Sequence, residues 1–211
     1  MPGPTLRLLT AATGLAVAAS ACSMPSPRET AMPTPAGNAS GSLNLMPVKE
    51  WPIRFDSHKF SVKCYDTYGC TVHYADVEQW GDAPDEYRPS SESYGPDYQR
   101  NWNGVHGMIR NFPPPAQVRW RSKDGETHEA EIDIGALFAD EVVRHNVPRE
   151  DIADMVDGEY QYEPSIILEV NDRTIRVWTR AWIPLKREVQ VAGVMRNDRR
   201  YELILVETFT F

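Results

Sequence analysis

Between residues 51 and 211, apolar and polar residues alternate with a period of two over most of the chain. That is the repeat of a strand with one buried face. It predicts strands at 51–56, 58–65, 70–79, 116–122, 127–134, 165–171, 174–183 and 201–210. Phe60, Val62 and Cys64 share one face of the second run, and Cys70, Val72 and Tyr74 share one face of the third. Ser122-Lys123-Asp124-Gly125 and Asn171-Asp172 supply turns between neighbouring runs, since Asn, Asp, Ser and Gly favour turn backbone. The period lengthens once, at about 136–146, where Leu137, Phe138, Val142 and Val143 fall on one side of a helix. A second short helix is expected from Pro148, with Glu150 and Asp151 in its first turn, where acids suit the dipole. Phe112-Pro113-Pro114-Pro115 reads as extended polyproline entering a strand, and residues 80–111 as a long insertion. Hairpin-connected runs imply a β-rich α+β fold. It is a largely antiparallel sheet or sandwich of about seven to eight strands with one or two short helices.

The first 47 residues follow a different pattern. Residues 1–21 hold one charge, Arg7, and residues 8–21 are nearly all small or apolar. The run is too short to span a bilayer and fits a signal-peptide core. In Leu15-Ala16-Val17-Ala18-Ala19-Ser20-Ala21-Cys22 the small residues Ala19 and Ala21 fit a signal-peptidase pocket. Cys22 then stands where a bacterial lipoprotein is acylated. Ala19 departs from the larger aliphatic usual there, and an ordinary secretory signal with an incidental Cys22 is the competing reading. On the lipoprotein reading, palmitate and its companion chains anchor the protein at about 0.8 kcal/mol per buried CH₂. By resemblance to other lipoproteins, Ser23 rather than Asp implies the outer membrane, facing the periplasm. Residues 22–47, rich in Pro, Ser, Ala, Thr and Gly, read as a flexible linker. Its r.m.s. reach is about 25–30 Å. Residues 48–211 make a single domain.

Charge narrows the partners. The net charge of −8 becomes −9 once Arg7 leaves with the signal. Residues 76–163 carry 20 acids and 8 bases, whereas residues 173–200 carry 8 bases and 2 acids. An acidic bulk field does not draw nucleic acid or anionic lipid. A strongly acidic region steers a basic protein partner. The competing reading is that the basic strands lie beside the acidic segments and neutralise them.

Cys64 and Cys70 flank Tyr65-Asp66-Thr67-Tyr68-Gly69, and a turn there would bring their faces together. In an exported chain this reads as a disulfide across a hairpin, contributing about 2–3 kcal/mol. A metal or redox pair is the alternative, with only His73 nearby as a further ligand. There is no Gly-x-Ser-x-Gly elbow, His-Glu-x-x-His helix, phosphate-cradling loop or calcium loop. His128 stands near Glu126, Glu129 and Glu131, but alternation divides these between two faces. Glu131 and Asp133 share a face, and Arg119 and Arg121 on the neighbouring run are expected to pair with such acids. No catalytic residue, metal or cofactor is expected. A cryptic hydrolase using His128 or Asp133 is the minor alternative.

Three stretches are candidate binding surfaces. The insertion disperses Trp80, Asp82, Asp85, Glu86, Tyr87, Tyr94, Tyr98 and Trp102 along one long loop. Tyr and Trp give large contact area at low entropic cost. Residues 150–163 hold six acids and no base, and Asp154, Asp157 and Tyr160 are the candidate contacts there. Arg176, Trp178, Arg180 and Trp182 form a ladder on one strand face. The alternatives are, in turn, a loop that buries its own aromatics, a solvated acidic face, and a second buried layer.

Arg54-Phe55-Asp56-Ser57-His58-Lys59-Phe60, Cys64 to Cys70, Tyr94-Gly95-Pro96-Asp97-Tyr98 and Ile109-Arg110-Asn111-Phe112-Pro113-Pro114-Pro115 carry a resemblance over roughly 46–211. The chain resembles the periplasmic lipoproteins that give immunity to lipase effectors of type VI secretion. The resemblance implies stoichiometric binding to a cognate secreted (phospho)lipase and transfers no catalytic residue. An envelope scaffold or assembly lipoprotein is the alternative.

Overall fold

The computed structural model describes residues 51–154 and 163–211. The signal, Cys22, the linker, Asp157 and Tyr160 lie outside the described residues. The strands are β1 (Ser57–Tyr65), β2 (Thr67–Tyr74), β3 (Val77–Gly81), β4 (Tyr87–Arg88), β5 (His106–Arg110), β6 (Ala116–Ser122) and β7 (Thr127–Ile132). One turn of helix, α1 (Ile134–Leu137), precedes β8 (Ser165–Asn171), β9 (Thr174–Arg180), β10 (Ile183–Val191), β11 (Val194–Arg200) and β12 (Leu203–Thr210).

One sheet has the order β12-β9-β8-β1-β5, and a second has β3-β2-β6-β7 with β4 also on β2. Pairing is antiparallel except between β1 and β8, which run parallel from Lys59↔Ser165 to Tyr65↔Asn171. The inner faces meet in one core. Phe60, Val62, Leu168, Val170, Ile175 and Val177 face Val72, Val118, Trp120 and Ile132. The fold is therefore the β-rich, largely antiparallel sandwich that the period-two pattern predicts, with β10 and β11 leaving it as a separate two-stranded ribbon.

Several local expectations change. Residues 64–70 do not close a hairpin, because β1 and β2 belong to opposite sheets. The chain turns a corner at Asp66, whose φ is 50°. Cys64 and Cys70 both point into the core, with Cα atoms 6.6 Å apart and their sulfurs at bonding distance. The cross-link ties sheet to sheet. The run at 70–79 is two strands, since Ala75 and Asp76 both take positive φ in a tight turn. Ala in that turn removes the usual Asn or Gly signal.

The helix expected over 136–146 stops after one turn. Asp133 caps it, its Oδ1 accepting the Ala136 N–H at 2.8 Å. Glu141 has a φ of 54°, and the chain then extends. Val143 N–H donates to Ile53 O and Phe55 N–H to Glu141 O, each at 2.9 Å. Residues 51–56 thus make one bridge, Arg54↔Val142, instead of a strand. Phe138 and Val143 are still buried, so a one-turn helix followed by an extended segment satisfies the same apolar spacing. The short helix after Pro148 is a 3₁₀ turn, Arg149–Asp151, starting where expected.

His58 is fully buried on β1. Its Nδ1 lies 3.0 Å from Asn111 Oδ1, and Nε2 lies 3.1 Å from the Tyr74 hydroxyl. Asn111 Nδ2 donates to Phe55 O at 2.8 Å, which orients its carbonyl toward the imidazole. A neutral ring donating through Nδ1 and accepting from Tyr74 satisfies every partner. Burial pushes His58 below its ordinary value of 6.5, against the raising effect of Asn111.

A folded pKa below the unfolded one gives stability that is complete above pH 6.5 and lost as pH falls through the folded value. Urea denaturation should show this loss beginning as pH falls below 6.5, and His58→Gln should flatten part of that limb, the rest coming from His145, whose pKa burial also lowers. Asp124, Asp140 and Asp198 are held below 3.8 by hydrogen bonds from Ser122 and Arg173, Arg144, and Arg187 respectively. Their stabilisation is fully present above pH 3.8 and is lost only as pH falls below that value, so it does not shape the limb near pH 6. Independently, Cys64→Ala/Cys70→Ala should lower the unfolding free energy by about 2–3 kcal/mol, read by the same denaturation; an unchanged midpoint would rule out the cross-link as a stabiliser.

Candidate partner-binding site

The corner at Asp66 carries a short platform. β4 pairs with the start of β2, Thr67↔Arg88 and Tyr68↔Tyr87. Gly69 N–H donates to Glu86 O at 3.0 Å. Gly69 has a φ of +55°, and a Cβ there would sit 2.5 Å from Pro84 O. Only glycine lets residues 84–86 lie this close. Tyr87 donates its hydroxyl to Asp66 Oδ1 at 2.9 Å, and its ring lies 4.8 Å from that of Tyr68. Arg121 of β6 sits 5.3 Å over Tyr68 and pairs with Asp85 at 2.7 Å. Tyr87 and Tyr94 are 44% and 59% exposed, and the Asp85 side chain is 93% exposed. Glu86 is exposed beside them. Aromatic rings and acids are therefore exposed along β4 and the turn before it, with Tyr94 in the 3₁₀ turn Ser91–Tyr94 that follows.

A buried layer holds that surface in place. Arg88 Nε donates to Asp82 Oδ1 at 3.0 Å, and its guanidinium lies 5.0 Å over the Trp80 ring. The hydrogen bond to Asp82, opposed by burial, pushes the Arg88 pKa up. The insertion then folds across the outer face of the first sheet. Tyr65 meets Tyr94, Tyr98 and Trp102 with ring centroids 5.7, 5.5 and 6.2 Å away. Burial, opposed by a hydrogen bond with Trp102, raises the Tyr65 phenol to about 12.

The centre of this layer is Glu169, which is 0% exposed. Its carboxylate accepts from the Tyr98 hydroxyl at 3.0 Å and from Trp178 Nε1 at 2.9 Å. Asn171 Nδ2 donates to it at 3.4 Å, and Arg176 stands 3.5 Å away. Arg180 donates to the carbonyls of Arg100 and Trp102 at 3.0 and 2.8 Å. The Arg/Trp ladder of β9 is thus a fastening for the insertion, from Arg176 through Arg180. Trp182 lies beyond it, 45% exposed, and stacks on Tyr201 at 3.9 Å.

No family model, no curated protein and no solved structure matches this chain.

The predicted contact residues separate into two groups. Asp85, Glu86, Tyr87 and Tyr94 are exposed, with Tyr87 held by Asp66 and Tyr94 by Tyr65 at the same corner. Trp80, Asp82, Tyr98 and Trp102 support it from below. Asp154 is half-buried and follows Ala153, whose N–H donates to Pro184 O on β10 at 2.9 Å; the ribbon's base positions it. The sequence reading missed Asp66, Tyr68, Arg121 and Glu169. Glu169 left one signal, as the lone charge inside the apolar run Ile166-Ile167-Leu168-Glu169-Val170.

Other polar clusters are otherwise engaged. His128 Nε2 lies 3.0 Å from Ser122 Oγ, and Ser122 also contacts Asp124. Here the serine, not the histidine, touches the acid, and Ser122 is fully buried. That differs from a nucleophile–base–acid chain. Asp133 caps α1, and Arg119 pairs with Glu129 at 3.3 Å. A surface cleft of about 320 Å³ near the β8–β9 turn is lined by Lys123, Arg173 and Arg176, among others. Lys123 pairs with Asp172, Arg173 with Asp124 and Glu126, and Arg176 with Glu169. Among the described residues, Arg173 is thus the one base of 173–200 that pairs with acids of the 76–163 segment. Among the described residues, no three His, Cys, Asp or Glu side chains converge as metal ligands, and no helix is long and apolar enough to cross a membrane.

Glu169→Ala strands Arg176, Trp178 and Tyr98 and should cost about 3 kcal/mol or more. The same change should open residues 89–105 to limited proteolysis. A variant as stable and as protease-resistant as the parent would show that the insertion is held by its aromatics alone.

Proposed function

We propose that this chain is a membrane-tethered periplasmic immunity lipoprotein that binds and neutralises a type VI secreted antibacterial lipase. The observation that carries the reading is the exposed surface of Asp85, Glu86, Tyr87 and Tyr94, fixed on the disulfide corner over a buried polar layer. Aromatic anchors whose geometry is set before binding lose little entropy on docking. Acids at their rim speed encounter with a basic partner. The lipoprotein-like Cys22 and the resemblance to lipase-immunity lipoproteins support the same function, since a lipase acts at the membrane where the anchor would hold its antagonist. Neutralisation here is occlusion: the platform covers the toxin's catalytic cleft and keeps lipid out.

The test is to identify a lipase gene adjacent to the one for this protein, and to run calorimetry and lipid-hydrolysis assays with its product; the absence of any such gene would count against the reading. The expected result is one-to-one binding with loss of hydrolysis. Asp85→Ala/Tyr94→Ala should weaken binding about tenfold, equivalent to about 1.4 kcal/mol, with an unchanged unfolding midpoint. A lipase that stays active at saturating protein would reject the reading.

A further inference from the structure

The β10–β11 ribbon has chemistry that the platform does not use. Its base is anchored: Ile183 and Leu185 lie in the core, Ile152 bridges Leu185, and Asn197 Nδ2 donates to Leu185 O at 2.7 Å. Beyond Leu185 the two strands pair only with each other among the described residues. The register is Glu188↔Asn197, Val189↔Arg196, Gln190↔Met195 and Val191↔Val194. Directly opposed residues share a face, so Val189, Val191 and Val194 form one apolar patch with Arg196 behind it. Val191, Val194 and Met195 are 50%, 51% and 57% exposed. An isolated two-stranded ribbon is marginal in water, and this one ends in aliphatic side chains.

Its charge opposes that of the rest of the chain. Residues 183–200 carry Lys186, Arg187, Arg196, Arg199 and Arg200 against Glu188 and Asp198, a net of 5 − 2 = +3, in a chain of net −8. Arg187 pairs with Asp198 and Arg200 with Glu202. Lys186 and Arg196 are exposed and have no ion pair among the described residues. At about 3.4 Å per residue, Arg196 stands about 7 Å behind the tip and Lys186 about 17 Å. An apolar end with cations set back by these distances matches a bilayer interface, where apolar groups sink about 5–10 Å among the headgroups. Cations at headgroup depth or within a Debye length beyond gain from anionic lipid. A protein hot spot would favour Trp, Tyr or Arg in a pocket; this tip offers only Val and Met on a convex turn.

We infer that the β10–β11 ribbon is a membrane-contact arm that inserts Val191, Val194 and Met195 among anionic phospholipid headgroups. The tether makes the contact reachable. From Cys22 to Trp51 the chain spans 51 − 22 = 29 residues, at most about 100 Å extended. A lipid anchor on Cys22 would thus keep the arm at high local concentration over the bilayer, where weak affinity suffices. Only this tether argument rests on the lipoprotein reading proposed above. The surface chemistry of the arm stands without it.

The experiment is co-sedimentation of the mature chain, residues 22–211 with Cys22→Ala and no acyl chain, with phosphatidylcholine vesicles with and without phosphatidylglycerol. The expected result is binding to the phosphatidylglycerol vesicles that falls as salt rises. Lys186→Gln and Arg196→Gln should each lower the partition coefficient about fivefold. Val191→Ser/Val194→Ser/Met195→Ser should lower it about tenfold or more, with the unfolding midpoint unchanged. No binding, equal binding to neutral vesicles, or undiminished binding by the tip variant would overturn the inference. A tip variant that keeps vesicle binding but loses the lipase would assign the arm to a protein interface instead. Loss of vesicle binding with lipase neutralisation intact rejects the arm alone. Failed neutralisation with vesicle binding intact rejects the toxin reading alone.

Discussion

The corner between Cys64 and Cys70 is the constraint on which the candidate surface depends. A sandwich needs its chain to pass from one sheet to the other, and such crossings are made at bends. Here the crossing takes one residue, Asp66, with both cysteines pointing inward on either side. So short a crossing leaves β1 and β2 little freedom to slide. Its outer side then becomes a fixed edge. Asp66 receives the Tyr87 hydroxyl, Thr67 and Tyr68 receive β4, and Gly69 lets Pro84 approach. Tyr65, the residue before the bend, anchors the aromatic half of the insertion. The same seven residues thus join the sheets on one side and carry the candidate surface on the other.

Glu169 is the second fixed point, and it works differently. Burying a carboxylate is unfavourable unless donors surround it. Tyr98, Trp178, Asn171 and Arg176 do so. Tyr98 comes from the insertion, whereas the other three come from β8 and β9. The donors on the sheet make the ion tolerable, and Tyr98 makes the insertion part of the solution. Lifting residues 89–105 away would break the Tyr98 hydrogen bond and uncover a carboxylate whose remaining donors are fixed on the sheet. The insertion is thereby selected in one position, which ordinary hydrophobic contact does less sharply. Lys63 lies in register with Glu169 on the adjacent β1, and burial depresses its pKa.

Most of the sheet was legible in the sequence because burial of one face imposes a period of two. Runs 58–65, 116–122, 165–171 and 201–210 fall within two residues of observed strands. Two failures share a cause, backbone conformations that side-chain identity did not announce. Ala75, Asp76 and Glu141 take positive φ without being glycine. The turn at Ala75-Asp76 and the end of α1 were therefore invisible. β10 and β11 were missed because a solvent-exposed ribbon needs no apolar face, so alternation is weak there. At the candidate surface, residue types were readable and depth was not. Asp85 and Asp82 look alike in sequence, yet Arg88 draws Asp82 under the surface and leaves Asp85 to Arg121.

The segregation of charge along the chain reads differently once the sandwich is formed. Part of it is internal compensation, as Arg173 meets Asp124 and Glu126 and Arg176 meets Glu169. These pairs cannot orient the molecule, because their fields cancel locally. What remains is unevenly placed: a chain of net charge −8, against Lys186 and Arg196 on a ribbon of net charge +3. A molecule with an acidic body and a basic arm has a dipole with respect to an anionic surface. On the membrane-contact inference drawn above, repulsion of the body and attraction of the arm would both turn the ribbon toward lipid, and neither would need to be strong in a chain held near the bilayer. Orientation then follows from the residual charges alone, while the paired ones serve the fold.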